Sequence, residues 1–476
     1  MAVPSRFKKI ALYGVARAAV DGMLAVRGLV LATALGPHAF GAWALFRLAT
    51  NYATFAQLGM KDGLEFHVAR AAATHGAARA RSCWRTALGF VLCVSGSIAV
   101  ASLALSFVVG DATLALSMRW FAGAVVAEQV WLTGLAYIRA TGNLRDYAAY
   151  EVGSAVLQLT LAALLAPVWG LSGAYCGFVL ATVITLALVM RPVRVIPALS
   201  RLRLISMLNV GLPVVVSLLI GFMLATADRL VVAAHGNMEL LGLYALAFSL
   251  AGIAGSLALV VRVIVYPEVF ASVAALGEAE ALRRHLAGTV VPFATFLPPV
   301  LGGLAVVLGP VMAAVLPQYL DAVPAARLLI FIGVTAGFER LGALGVVAAG
   351  RQRLLPLLSL TALALNVTLS LLALRLGLGL EGVAGAAVLS NAAFGLGALA
   401  IVARVAHTPR PRLYLGSVAL PLTWCLLSTV LLHAVWTDRS LAGTAVLFGI
   451  YAASIVPLLP LARRQTRIAR AAIPRS

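Results

Sequence analysis

Apolar residues in this chain do not alternate or fall on one helical face. They run in blocks of about 20, the length a helix needs to cross the hydrocarbon core of a bilayer. Fourteen such blocks are read as membrane spans: 10–34, 40–61, 86–109, 114–138, 147–167, 171–190, 209–234, 240–265, 287–308, 325–349, 356–376, 381–403, 414–434 and 441–461. The longest connections, around 62–85, 191–208, 266–286 and 309–324, leave no room for a separate catalytic domain. The expected fold is an all-α, polytopic membrane protein, and any chemistry must lie inside the helix bundle.

Composition agrees. Of 476 residues 62% are apolar and 11% charged, with mean hydropathy +1.02; a soluble chain carries about 25% charged residues. The net charge of +20 comes from 36 Lys+Arg against 16 Asp+Glu. In a soluble protein that excess would suggest nucleic acid, but here its placement gives another meaning. Twenty-six of the 36 fall in the N-terminus, the even-numbered connections and the C-terminus, which by the positive-inside rule places both termini in the cytoplasm. Arg439 lies on the opposite side, with Arg327 and Arg375 at span edges. The charge is therefore read as topology, and no nucleic-acid partner is expected.

The chain also repeats itself. Gly36-Pro-His-Ala-Phe-Gly41-Ala-Trp43 is echoed by Gly236-Asn-Met-Glu-Leu-Leu-Gly242-Leu-Tyr244, Gly170-Leu-Ser-Gly173 by Gly379-Leu-Glu-Gly382, and Ala140-Thr-Gly142-Asn-Leu-Arg145 by Ala349-Gly350-Arg-Gln-Arg353. The offsets lie between 200 and 209 residues, one set of six spans. An even number keeps orientation, so the halves are parallel repeats, an arrangement found in transporters that rock two bundles about a central site. The expected domains are 1–205 and 206–408, each six-helical, and 409–476, two further helices with a basic tail.

Seven arginines remain inside expected spans: Arg17, Arg27, Arg47, Arg119, Arg229, Arg262 and Arg340, with the acids Asp21, Glu128, Glu151, Asp228 and Glu339. At roughly 2.5 to 3.5 kcal/mol each at mid-bilayer, such side chains need water, partners or cargo. In one reading Arg27 and Arg47, with Arg17, Arg119 and Arg229, form a cationic site for a pyrophosphate, which guanidinium forks suit. In the other, Arg119, Arg229 and Arg262 snorkel to the interface, and Arg17 with Asp21 and Asp228 with Arg229 are structural pairs. Arg27 and Arg47 are the preferred substrate contacts. Glu128 and Glu339 occupy equivalent spans, Arg340 following Glu339; each acid is either a protonation site for ion coupling or a fixed partner of an arginine, and pairing is preferred. Under the repeat Arg27 corresponds to Asp228, so the halves place opposite charges at equivalent positions.

Other signals are decoys. Gly377-Leu-Gly379-Leu-Glu-Gly382 spells a dinucleotide fingerprint but lies between two spans with no strand before it. None of the three lysines follows phosphate-loop glycines, so ATP hydrolysis is not expected. The four cysteines and seven histidines have no metal-ligand spacing, so no cofactor or metal is expected and the chain is not expected to be an enzyme.

The stretch from Leu29 to Trp43, with Gln57-Leu-Gly59-Met and His67-Val-Ala-Arg70, resembles the first two spans of the Wzx-type polysaccharide flippases of the multidrug/oligosaccharidyl-lipid/polysaccharide (MOP) exporter superfamily. Asn209-Val-Gly211-Leu-Pro213 through Asp228-Arg229, Gly242-Leu-Tyr244 and Tyr266-Pro267 resembles the start of that family's second half, and Asn366 to Ser390 its spans 11 and 12. The resemblance covers nearly the whole chain. It implies a bacterial inner-membrane flippase that moves undecaprenyl-pyrophosphate- or phosphate-linked oligosaccharide units outward by alternating access, working beside a polysaccharide polymerase and export machinery. Arg27 and Arg47 would meet the phosphate groups, and Asp228 with Arg229 would gate or pair. Two relatives in the superfamily stay open as alternatives: a multidrug antiporter, for which an acidic cavity would be expected, and a flippase for the peptidoglycan precursor. An embedded polysaccharide polymerase would need a large outside loop that this chain lacks.

Overall fold

The computed structural model describes residues 3–73, 76–191, 195–235, 237–435, 441–458 and 460, the side chains of 3–18, 253, 256–260, 262–264 and 441 excepted. Helix is found at every apolar block, and the described residues contain no strand. Among the described residues, ten helices are long and apolar enough to cross a membrane. By packing, the chain falls into two compact units, Met1–Leu219 and Ile220–Ser476.

The first unit opens with α1 (Val3–Ala53), interrupted at Gly36, whose backbone leaves the helix at φ 73°, ψ 171°. A straight helix of 51 residues would run about 75 Å at 1.5 Å per residue, more than twice the hydrocarbon thickness. Gly36 supplies the left-handed φ that the turn needs, and Pro37 starts the second arm with its ring-fixed φ. Helix α2 (Met60–Ala73), α3 (Ala77–Leu105) and α4 (Ala112–Ala140) follow. The next helix, α5 (Leu144–Met190), breaks at Gly170 (φ 56°, ψ −134°). Its arms return on each other so closely that a Cβ at Gly173 would strike the Leu165 carbonyl and one at Gly177 the backbone of Leu161–Ala162.

Helix α2 was not anticipated, because 62–85 reads as a polar connection. It is amphipathic. Met60, Leu64, Val68 and Ala71 are buried at helical spacing, while Lys61, Asp62 and Arg70 keep the segment below any apolar threshold. The buried row packs on Trp84, Leu88 and Val91 of α3 and on Met207. That last contact belongs to α6 (Arg201–Ala234), whose first turns lie against α2 with no side chain between: a Cβ on Gly59 would overlap the Gly211 backbone, one on Gly211 the Gly59 carbonyl, and one on Gly63 the Met207 carbonyl. This crossing holds the start of α6 in the first unit, so the units divide inside that helix, past the 205/206 boundary expected from the repeat.

The second unit continues α6 and adds α7 (Met238–Leu276), α8 (Glu278–His285), α9 (Val291–Val315), α10 (Val323–Leu329), α11 (Ile332–Ala348), α12 (Leu355–Arg375), α13 (Gly379–Val405), α14 (Pro411–Val435) and α15 (Leu441–Ile455). Its core joins Leu286, Phe331, Val334, Phe338 and Leu341 to Leu399 and Val402. Helices α14 and α15 pack on α9. Gly302 and Gly303 there face Tyr451 and Phe448, the Tyr451 hydroxyl donates to the Pro299 carbonyl at 3.1 Å, and Trp424 ties α14 to Ser454 of α15 at 2.8 Å.

Candidate functional site

In the first unit the two arms of α1 carry Arg27 and Arg47, and the structure brings these residues to one place. Arg27 is buried (8% exposed). Its guanidinium lies 5.4 Å from the Trp43 ring centroid, across the hairpin, and donates to Gln158 Oε1 on α5, whose amide in turn donates to Ser154 Oγ at 3.1 Å. Arg47 donates to Glu128 Oε1 on α4 at 3.0 Å and sits 4.4 Å from the Phe178 centroid. Both Arg47 and Glu128 act electrostatically on Arg27. The group is thus two guanidiniums and one carboxylate, one positive charge in excess.

An aromatic wall supports the pair. Trp43 and Phe46, one helical turn apart, pack against Tyr175 and Phe178, likewise one turn apart, with centroids 4.6 to 6.0 Å from each other and both contacts to Phe178 edge-on. The Tyr175 hydroxyl, deep in this wall, is matched by Ser117 Oγ at 2.7 Å. Negative ring faces toward a cation favour both arginines here, and the packed rings leave their guanidiniums few ways to turn. Within this group two buried polar atoms, Arg27 Nε and Glu128 Oε2, have no hydrogen-bond partner among the described residues. A buried donor without an acceptor costs about 1–3 kcal/mol, and a ligand oxygen would relieve it.

Beside Glu128 lies a buried amide network that charge reading could not have found. Gln57 donates to Gln129 Oε1, and Thr133 donates to the Gln129 carbonyl at 2.7 Å; Gln57, Gln129 and Thr133 are all essentially inaccessible. Neutral amides leave no mark in a hydropathy or charge profile. Gln158, which holds Arg27, was missed for the same reason.

The other expected site residues are placed elsewhere. Arg119 is exposed, over Phe107 at 5.4 Å, an arrangement that suits interfacial snorkelling. Arg17 lies outside the residues whose side chains are described, as does Arg262; Asp21, the expected partner of Arg17, is half-buried. In the second unit Asp228 is 2% exposed and accepts from the Tyr244 hydroxyl at 2.7 Å and from the Arg229 amide at 2.8 Å. The Arg229 guanidinium stands 3.9 Å from Asp228 Oδ1, donates to the Ala225 carbonyl and covers the Phe248 ring at 3.9 Å. Arg340 donates to the Gly255 carbonyl of α7 at 2.8 Å, and Glu339 is half-buried. Glu151 accepts from Tyr147 at 2.8 Å.

Long apolar helices folded into glycine hairpins, with one buried and one half-buried arginine held together inside one unit, define a multi-pass membrane protein. Solved structures with the same fold are transporters. The lipid II flippase MurJ, in an inward closed conformation, matches over 94% of this chain and 99% of its own with TM-score 0.68 and 12% identity. A multidrug resistance MATE family transporter of the MOP superfamily, inward-facing, matches over 84% and 96% with TM-score 0.64 and 16% identity. A MOP superfamily transporter from Pyrococcus furiosus matches over 86% and 95% with TM-score 0.50 and 16% identity. At these identities the likeness shows the fold. No curated protein sequence matches this chain. The family model described as "Polysaccharide biosynthesis protein" matches residues 30–324, and the chain belongs to that family.

Proposed function

We propose that this protein is a flippase that carries a polyprenyl-phosphate- or pyrophosphate-linked oligosaccharide across the bacterial inner membrane by alternating access, for surface polysaccharide assembly. The observation that carries the reading is the Arg27–Arg47 group, with its excess positive charge and unsatisfied Arg27 Nε, in a chain of the polysaccharide biosynthesis family. Holding a buried Arg27 and a half-buried Arg47 against one carboxylate is costly in a membrane, and a phosphate-bearing cargo supplies the missing negative charge. Within this reading Arg27 and Arg47 bind the phosphate and the aromatic wall of Trp43, Phe46 and Phe178 keeps them in position.

The fourteen-span topology with both termini in the cytoplasm belongs to the same proposal. It is supported by the arginine asymmetry and by the hairpin turns at Gly36 and Gly170, which turn two of the ten long helices into pairs. The fold is shared with a multidrug transporter, but cationic drugs call for an acidic site, and the described group is net basic. The deciding experiment is reconstitution into proteoliposomes with a fluorescent lipid-linked oligosaccharide or a cationic dye. Movement of the first and not the second supports the flippase; the reverse assigns the protein to drug export.

A further inference from the structure

A second cationic site lies in the first unit, at the N-terminal ends of α3 and α6. Among the described residues, a cavity of about 1070 Å³ is lined by Arg79, Arg81, Arg85, Arg203 and His67 and by no carboxylate. One wall is the non-helical segment 195–200, which is fastened to α3: Arg85 Nε donates to the Ile196 carbonyl at 3.0 Å, the Ala198 amide donates to the Arg85 carbonyl at 3.2 Å, and Gly89 allows the Ala198 backbone to approach. The opposite corner is set by His67, which bonds both the Ser206 carbonyl at 3.2 Å and its hydroxyl at 3.1 Å. All four arginines are exposed; Arg85 is engaged by these bonds, and Arg79, Arg81 and Arg203 stand around the rim they hold.

The same wall carries an exposed apolar row, two members of which, Ile196 and Leu202, also line the cavity. Ile196, Leu199, Leu202 and Ile205, at every third position, are exposed by 78%, 60%, 84% and 45%. Next to water such a row would be a liability. Arginines alternating with exposed aliphatic side chains at the end of a span are what an interfacial segment presents to lipid, its apolar residues at the acyl boundary and its cations at the headgroups.

We propose that this cavity binds the phosphate of an anionic membrane lipid, drawn from the arginine-rich side of the bilayer, with the acyl chains lying along Ile196, Leu199, Leu202 and Ile205. A free inorganic phosphate would use the arginines but not the apolar row, and a zwitterionic lipid would bring a choline cation into a cavity without a carboxylate. The site lies apart from Arg27 and Arg47 in its lining and rests on the membrane-spanning reading of the fold, not on the nature of the cargo.

Native mass spectrometry of the purified full chain in detergent, titrated with dioleoyl phosphatidylglycerol or dioleoyl phosphatidylcholine, tests it. Phosphatidylglycerol should bind, and the triple variant Arg79→Gln/Arg81→Gln/Arg203→Gln should weaken it by roughly tenfold or more, given the contribution of each basic residue near anionic lipid, with phosphatidylcholine binding unchanged. The corresponding triple lysine variant should retain the lipid, which separates lost charge from lost fold. Equal retention of phosphatidylglycerol by the glutamine variant, or its full displacement by millimolar inorganic phosphate, would overturn the proposal. Because no oligosaccharide is present, the outcome is independent of whether the protein flips one.

Discussion

The Tyr244 hydroxyl donates to the buried Asp228 carboxylate at 2.7 Å, and these two residues stand 201 positions after Trp43 and Arg27, whose ring and guanidinium lie 5.4 Å apart. In each unit a charged residue on the first arm of a helix pair meets an aromatic residue sixteen positions later. The spacing is the same and the charge is opposite. The aromatic partner changed to suit it: an indole face for a cation, a phenol hydroxyl for an anion.

Arg27→Ala and Arg47→Ala should each lower surface-polysaccharide export by at least about tenfold, the cost of roughly 1.4 kcal/mol, at normal protein level. The measure is export in cells lacking the native protein, with membrane abundance checked by immunoblot. Full export by the double variant would remove the phosphate site proposed here.

Tyr244→Phe should destabilise the second unit by about 1–3 kcal/mol, since it leaves a buried carboxylate oxygen short of a donor. A lower melting temperature in detergent reads this out. Asp228→Asn/Tyr244→Phe should recover part of the loss, because the uncompensated charge is gone.

Gly63→Ala should lower the melting temperature or the folded yield, because its methyl would overlap the Met207 carbonyl and overpacking costs typically about 1–3 kcal/mol. Gly153→Ala is the control. It is helical, with open space where the methyl would go, so it should be neutral or stabilising by up to about 1 kcal/mol.

Glu128→Gln removes the carboxylate that pairs with Arg47 at 3.0 Å. If pairing is its role, transport in proteoliposomes should keep its pH dependence while thermal stability falls. Loss of the pH dependence would make Glu128 a proton carrier instead.

Cysteines introduced at Gly110 and Arg145, which flank α4 and are both exposed, should react with an impermeant maleimide from opposite sides of the membrane in a variant freed of its four native cysteines. Labelling of Arg145→Cys from outside intact cells would reverse the proposed topology.

Charge in an apolar run is conspicuous, so Arg27, Arg47, Glu128 and Asp228 were legible in the sequence, and the glycine turns at Gly36 and Gly170 could be placed because apolar blocks need an end. What escaped was whatever is neutral or averaged. Gln158 and the Gln57–Gln129 pair are polar without charge. Helix α2 hides its buried row among polar residues, and α8 lies in a stretch read as connection. Partners were also beyond reach: the repeat equates Trp43 with Tyr244, but only packing shows that each faces the charged residue of its own unit.

The contact between Gly59 and Gly211 joins two short motifs that resemble a family pattern separately and lie 152 positions apart. In an ordinary packed pair, enlarging one side chain can be compensated by shrinking the other. Here neither partner has an atom to give up, so no second-site change at one glycine makes room for a side chain at the other. The crossing of α2 and α6 is therefore closed to compensated drift, and a directed-evolution search that samples both positions together should return glycine at each.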